Sequence, residues 1–311
     1  MLAKAKKLFK EIHDEKRLAQ CLQNLGKIAH MHNDYPEAII MLTDAKTQFQ
    51  EIGDQLGAAQ CLRSLGDIAL LQDDYSEAKE MLMDARAQFQ QIGNSLGAAQ
   101  CLQGLGNIAY MQDNYIEAKE MLTDAKSQFQ QISNRLVIAQ CLQELGHIAN
   151  TQSNYSEAKE MLANAKAQFE ETGDRLGAAQ CLQGLGDIAH MQNNCSEAIK
   201  MLTDAKKQFH QIDDELGAAQ CLQSLGNIAV MQDNYHEGKE MLKGAKNQFQ
   251  LIGGRLGVAQ CLQSLGNIEK MENNHLEAKE MLTEAKTQFQ QIGDSLGAAQ
   301  CSQSLEEMAN L

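Results

Sequence analysis

The chain has 311 residues, a formal net charge of −14 at neutral pH, one proline, no tryptophan and nine cysteines. So acidic a balance argues against a nucleic-acid backbone as partner, which needs a dense basic face. No apolar run approaches the roughly 18 residues of a membrane span, and the opening, MLAKAKKLFKEIHDEK, lacks the continuous apolar stretch of a secretory leader; no membrane partner is expected, and the chain reads as cytoplasmic.

A nearly constant sentence, LGAAQCLQSLGNIA and its variants, begins at Leu56, Leu96, Leu176, Leu216, Leu256 and Leu296, a period of forty residues. A period of this size is the signature of a solenoid or propeller. The abundance of Ala, Leu, Gln, Glu, Lys and Met favours helices over β-blades. In chain order, residues 1–12 read as the second half of a repeat. Full repeats follow at 13–52, 53–92, 93–132, 133–172, 173–212, 213–252 and 253–292, and residues 293–311 read as the first half of another.

Within 53–92, Gly53 suits the left-handed position that closes a helix and Asp54 is a good N-cap for the next. The spacing predicts helix A from about Gln55 to Gln72. Ala58, Cys61, Leu62, Leu65, Ile68 and Ala69 fall on its apolar side, with Gln60, Arg63, Ser64, Asp67 and Leu70 opposite. Asp74 and Glu77 form a capping box for helix B, repeated as Asn114/Glu117, Asn154/Glu157 and Asn234/Glu237. Pro36 occupies the opening turn of the first B helix, where its missing N–H costs nothing. Helix B carries an apolar stripe of Tyr75, Ala78, Met81, Leu82, Ala85, Phe89 and Ile92. A single hairpin cannot bury both faces, so each copy must stack on its neighbours.

Eight cysteines recur at one phase, Cys21, Cys61, Cys101, Cys141, Cys181, Cys221, Cys261 and Cys301, with no C-x-x-C pair. Among Ala, Leu and Ile they read as small buried apolar residues, and their number suits a reducing compartment. The sequons at Asn154 and Asn194 read as helix-start chemistry.

The run Leu65, Gly66, Ala69, Tyr75, Ala78, Leu82, Ala85 resembles the tetratricopeptide-repeat (TPR) signature. The seven full repeats depart from it only at Cys195, Gly238, Glu269 and His275. The opening Trp of the signature is Leu here and its closing Pro is Gln or similar, so the forty-residue unit resembles the long-helix variant of Pins-type scaffolds. Kinesin light chain is a looser relative, and the likeness among copies resembles the TPR tails of fungal NLR-type (STAND) proteins. No P-loop accompanies them in this chain. The resemblance implies an all-α, right-handed superhelical solenoid of antiparallel helix pairs. It would be a non-catalytic scaffold without cofactor or metal, holding a peptide or partner segment in the concave groove of the A helices, and could serve as the sensor of a larger signalling protein.

The copies vary on that side of helix A in three series. The first is Asn24, Ser64, Gly104, Glu144, Gly184, Ser224, Ser264. The second is Lys27, Asp67, Asn107, His147, Asp187, Asn227, Asn267, and the third His30, Leu70, Tyr110, Asn150, His190, Val230, Lys270. Beside them runs a polar ladder of Gln20, Gln60, Gln100, Gln140, Gln180, Gln220 and Gln260, suited to a peptide backbone. Drift after duplication is the plainer explanation of the variation, but Leu70, Tyr110 and Val230 on a wet face are natural anchors. Some TPR domains clamp a C-terminal carboxylate with Lys, Arg and Asn. Lys27, Arg63, Asn107, Asn227 and Asn267 offer those groups, whereas Asp67, Glu144 and Asp187 would repel a carboxylate. The expected ligand therefore meets the middle with a basic segment and keeps any acidic group toward Lys27, His30 and Arg63. The histidines, His30, His32, His147 and His190 among them, form no catalytic or metal constellation.

Two further expectations concern the C-terminal part and the ends. Glu269 at an apolar position would bury an unpaired carboxylate, which predicts that the seventh repeat is the least stable. The half repeats at 1–12 and 293–311 are complementary, and their docking in trans would give weak homo-association or head-to-tail fibres. Against this, the lysines of the first helix and Ser302, Glu306 and Glu307 of the last resemble polar caps.

Overall fold

A computed structural model describes Ile12 and residues 14–309. The half repeat expected over 1–12 therefore lies, Ile12 apart, outside the described residues. Among these, every element is helical: α1 (Glu15–Met31), α2 (Tyr35–Glu51), α3 (Gln55–Leu71), α4 (Tyr75–Gln91), α5 (Ser95–Met111), α6 (Tyr115–Gln131), α7 (Arg135–Thr151), α8 (Tyr155–Thr172), α9 (Arg175–Met191), α10 (Cys195–Gln211), α11 (Glu215–Met231), α12 (Tyr235–Leu251), α13 (Arg255–Met271), α14 (His275–Ile292) and α15 (Ser295–Ala309). Odd-numbered helices are of type A and even-numbered ones of type B. The chain divides into two compact units, one ending at Gln152 and the other beginning at Ser153. Each is an all-α stack of antiparallel helix pairs, in which an A helix packs on the B helix of its own hairpin, on the B helix before it and on neighbouring A helices.

The turns explain why the pairs repeat so evenly. Asp54 accepts from the Gly57 N–H at 2.9 Å and Asp74 from the Glu77 N–H at 3.1 Å, each satisfying a donor that the helix start leaves unpaired. The Asn boxes at 154 and 234 work differently from the Asp box. Their side chains make no bond to the helix backbone, and the amide of each donates to the carboxylate of Glu157 or Glu237, whereas Asn114 both donates to the Glu117 carboxylate and accepts from the Glu117 N–H. The chain turns from B to A through a left-handed residue, Gly53 with φ +76° among them, and from A to B through residues such as Asp73 with φ +60°. Asn and Asp tolerate that region better than most side chains.

Helix B is two-faced as its pattern predicts. Ala78, Leu82, Ala85 and Phe89 are fully buried, while Glu77, Glu80 and Asp84 face water. Helix A is enclosed much further round than its amphipathic pattern indicates. Ser64 is buried along with the apolar side, and Gln60, Arg63, Asp67 and Leu70 are half-buried, because neighbouring A helices flank it. Gly57 marks a close approach: a Cβ there would lie 2.5 Å from a ring carbon of Phe49, so the preceding B helix seats its phenylalanine on bare backbone.

The premise for a weak seventh repeat does not hold. Glu269 is buried, but it is paired: Lys239 Nζ lies 2.7 Å from one carboxylate oxygen and Asn274 Nδ2 donates to the other at 2.7 Å. Lys239 also bonds Glu272. Burial raises the carboxyl pKa, but the hydrogen bonds from Lys239 and Asn274 and the lysine charge outweigh it and hold Glu269 below the usual carboxylate range. Elsewhere the equivalent lysine reaches forward to the next B helix, as in Lys79 to Glu117 at 3.5 Å and Lys159 to Glu197 at 3.7 Å. In the sixth repeat that cation, Lys239, is instead turned to Glu269 on the A helix of the seventh.

Candidate binding surface on the A helices

The half-buried stripe of helix A is where the repeats differ and where side chains bridge successive repeats. A recurrent bond at a spacing of 37 residues joins A helix to A helix: Gln23 Nε2 donates to Gln60 Oε1 (3.2 Å), Gln183 to Gln220 (3.4 Å), Gln223 to Gln260 (3.2 Å) and Gln263 to Gln300 (3.0 Å). Arg63 makes the same contact with Gln100. The carbonyl oxygens of these ladder glutamines thus serve the array itself, and a ligand backbone would be met by their amide N–H groups.

The first and second variable series are partners across the same step. Asn107 Nδ2 donates to Glu144 Oε1 at 3.0 Å, Ser224 Oγ to Asp187 Oδ1 at 3.0 Å and Ser304 Oγ to Asn267 Oδ1 at 3.2 Å. Part of the variation between copies is therefore pairwise, each residue suiting its neighbour. Gly104 shows the steric side of the same constraint, since a Cβ there would come within 2.8 Å of Leu82 Cδ1.

Electrostatics follow from this enclosure. Burial pushes the Glu144 carboxyl up to about 7, against the lowering effect of hydrogen bonds from Asn107 and Gln103. Burial likewise raises Asp187 to about 6, opposed by Ser224, and raises Asp67, opposed by the charges of Arg63 and His30. Burial alone lowers His147 and His190 below the ordinary histidine value, which keeps them neutral. The regularly placed thiols behave as buried apolar groups. Desolvation pushes Cys61, Cys101, Cys141, Cys181, Cys221 and Cys261 up to about 12, and all nine cysteines are free.

In the first unit the stripe opens into a pocket of about 560 Å³ between α3, α5 and α7. Leu70, Asn107, Tyr110, Glu144 and His147, all on the variable series, come together in its wall. The Tyr110 ring leans on Tyr115, centroids 5.9 Å apart. Six other wall residues carry no signal in the variable series: Leu71, Asp73, Tyr75, Met111, Leu122 and Ile148. Two of them had a legible signature. The last position of the A helices in the full repeats is Met31, Leu71, Met111, Met191, Met231 and Met271, apolar in all but Thr151, yet Leu71 and Met111 are each 57% exposed.

The remaining site candidates lie elsewhere. Lys27 is exposed and His30 packs at 6.1 Å against Tyr35. Arg63 is committed to Gln100 and lies 4.0 Å from Asp67, so it is not presented as an open cation. Asp187, His190, Asn227 and Asn267 belong to the second unit, where Asp187 and Asn267 are engaged as above and Lys270 pairs with Glu307. Among the described residues no three His, Cys, Asp or Glu converge as a metal site, and no helix is long and apolar enough to cross a membrane.

Comparison with known proteins places this architecture. Residues 58–131 and 137–209 match the family model of the tetratricopeptide repeat. No curated protein matches the sequence significantly. Among solved structures, aspartyl phosphate phosphatase F from Bacillus subtilis aligns with TM-score 0.70 at 13% identity, over 91% of this chain and 71% of that one. A Rap protein complexed with Competence and Sporulation Factor aligns with TM-score 0.67 at 13% identity, over 99% and 93% of the two chains. A STAND protein with a tetratricopeptide-repeat sensor from Pyrococcus horikoshii aligns with TM-score 0.66 at 12% identity, over 99% of this chain and 52% of that one. At these identities the likeness is one of fold.

Proposed function

We propose that this chain, an array of tetratricopeptide repeats, is a non-catalytic protein-interaction scaffold that takes a peptide or partner segment along the stripe of its A helices. The observation that carries the reading is the pocket between α3, α5 and α7. There an apolar rim of Leu70, Leu71, Tyr110 and Met111 surrounds the polar groups of Asn107, Glu144 and His147. A concave, mostly apolar site with a few placed polar groups is what ligand recognition requires. That a Rap protein of similar fold was crystallised with Competence and Sporulation Factor supports a bound partner as the occupant. Nine free thiols suit a cytoplasmic protein. We take 1–311 as one array of repeats, with Lys27 and His30 near the start of the first unit and Asp187, His190, Asn227 and Asn267 as the equivalent A-helix positions of the second.

The test is a proteome-wide pulldown with the full chain beside a variant carrying Asn107→Ala, Tyr110→Ala and His147→Ala, with helicity checked by circular dichroism. Partners that are lost by the variant support the stripe as recognition surface. A folded variant that retains every partner removes it.

A further inference from the structure

Within the pocket the charged and apolar groups are arranged unevenly, and the unevenness specifies an occupant. Glu144 accepts twice on Oε1, from Asn107 at 3.0 Å and from Gln103 at 3.2 Å, while its Oε2 is sealed from solvent without a partner. A buried acceptor without a donor is costly, and more so when the group is charged. In every other repeat this position holds Asn, Ser or Gly, so the carboxylate is peculiar to this one place. No lysine or arginine lines the pocket. Asp73, the other carboxylate there, already accepts from the Tyr75 hydroxyl at 2.9 Å. The opposite wall is apolar, and its rim residues Leu71 and Met111 lie more than half exposed.

Resting on the groove reading above, we propose that this pocket selects a partner segment in which a lysine or arginine stands beside a bulky apolar side chain. The cation would be taken by Glu144 and the apolar group by Leu71, Tyr110 and Met111. Glu144 lines the pocket, and its unpartnered Oε2 is the oxygen left for an arriving cation, since both amide contacts fall on Oε1. Tyr110 supplies a ring face against which a guanidinium or an aliphatic stem packs equally well. An acidic segment would meet like charge from both Glu144 and Asp73. A purely apolar one would leave the Glu144 oxygen unpaired.

The probe is an array of nonapeptides in a Gly/Ser background whose two central residues run through all pairs of amino acids, exposed to the full chain at low ionic strength. Signals are expected to concentrate on Lys or Arg beside Phe, Leu, Ile, Met, Tyr or Trp. Glu144→Gln should weaken those signals at least tenfold, toward the level of peptides with Gln in place of the cation. Should Glu144→Gln lose helicity, Glu144→Ser serves, since serine stands at the same phase at Ser64, Ser224 and Ser264. The inference is overturned if acidic or wholly apolar pairs dominate, if no pair exceeds the background, or if the variant keeps the basic–apolar signal within twofold. In those cases the groove reading still stands or falls on its own pulldown. A basic–apolar signal that survives Asn107→Ala, Tyr110→Ala and His147→Ala together would sink both, because the segment would then bind elsewhere.

Discussion

Replacing Lys239 by methionine would leave Glu269 enclosed by the seventh repeat with Asn274 as its one remaining donor. Removing one partner of a fully buried ion pair costs about 3–5 kcal/mol, because the survivor stays charged in a poor solvent. Here the side chains of Lys239 and Glu269 are 15% and 12% exposed, so water relieves part of that cost. We expect a loss of about 2 kcal/mol, which corresponds to roughly 30-fold lower amide protection. Because a repeat array opens locally, the assay is hydrogen exchange read by mass spectrometry, with the loss concentrated in α12, α13 and α14. The sign in pH follows from Glu269. Its pKa is depressed in the fold, so the stabilisation is present above the ordinary value of 4.5 and fades as pH falls through the lowered one. Wild type and Lys239→Met should therefore converge in strong acid. Glu269→Ala should cost little, since Ala is the residue of the other repeats and Lys239 keeps Glu272, and the double variant should recover most of the protection. The reasoning fails if Lys239→Met changes protection by less than about threefold, or if Glu269→Ala costs as much as Lys239→Met.

Two other outcomes are expected. Glu144 titrates near 7 in the fold and at 4.5 as a free side chain, so the folded state holds the extra proton and the first unit loses stability as pH rises between those values. Glu144→Gln should flatten that slope and raise stability at pH 8 by about 3 kcal/mol, while changing little at pH 4. An unchanged slope in thermal melts across this range would refute it. Alkylation with iodoacetamide at pH 8, read by peptide mass mapping, should modify Cys195 alone, because it is the one thiol that is not buried. Rapid labelling at Cys101 or Cys141 in the native protein would show that the interfaces between repeats open far more readily than their packing implies.

Much of the fold was legible because its constraints are local and repeated. Asp54, Asp74 and the apolar phases of Leu82 and Phe89 act within one hairpin, and a forty-residue window contains everything that fixes them. The stripe of helix A was legible in part. Leu70, Tyr110, Asn107, Glu144 and His147 stood out as variable, and they meet in one wall. What the sequence did not show was how closely successive A helices flank one another: that packing buries Ser64, and the bond to Gln100 commits Arg63, although both look solvent-facing on a single helix. Glu269 was misread for the same reason: its lysine lies thirty residues upstream on another helix. Leu71 and Met111 escaped notice because an apolar residue recurring at a helix end looks like core, and only the three-dimensional stack shows that those ends protrude.

The pairwise bonds between A helices also bear on how such a gene can change. Copies this alike invite unequal recombination, and loss or gain of one forty-residue unit would keep every cap, every buried phenylalanine and hence the fold. It would not keep the matches. Removing residues 133–172 would set Asn107 against Gly184 and abolish the contact with Glu144. Removing 253–292 would strip Lys239 of Glu269 and Glu272 together. The units are interchangeable as building blocks but not as addresses, so their order is itself information, written in the few polar residues by which each copy recognises the next.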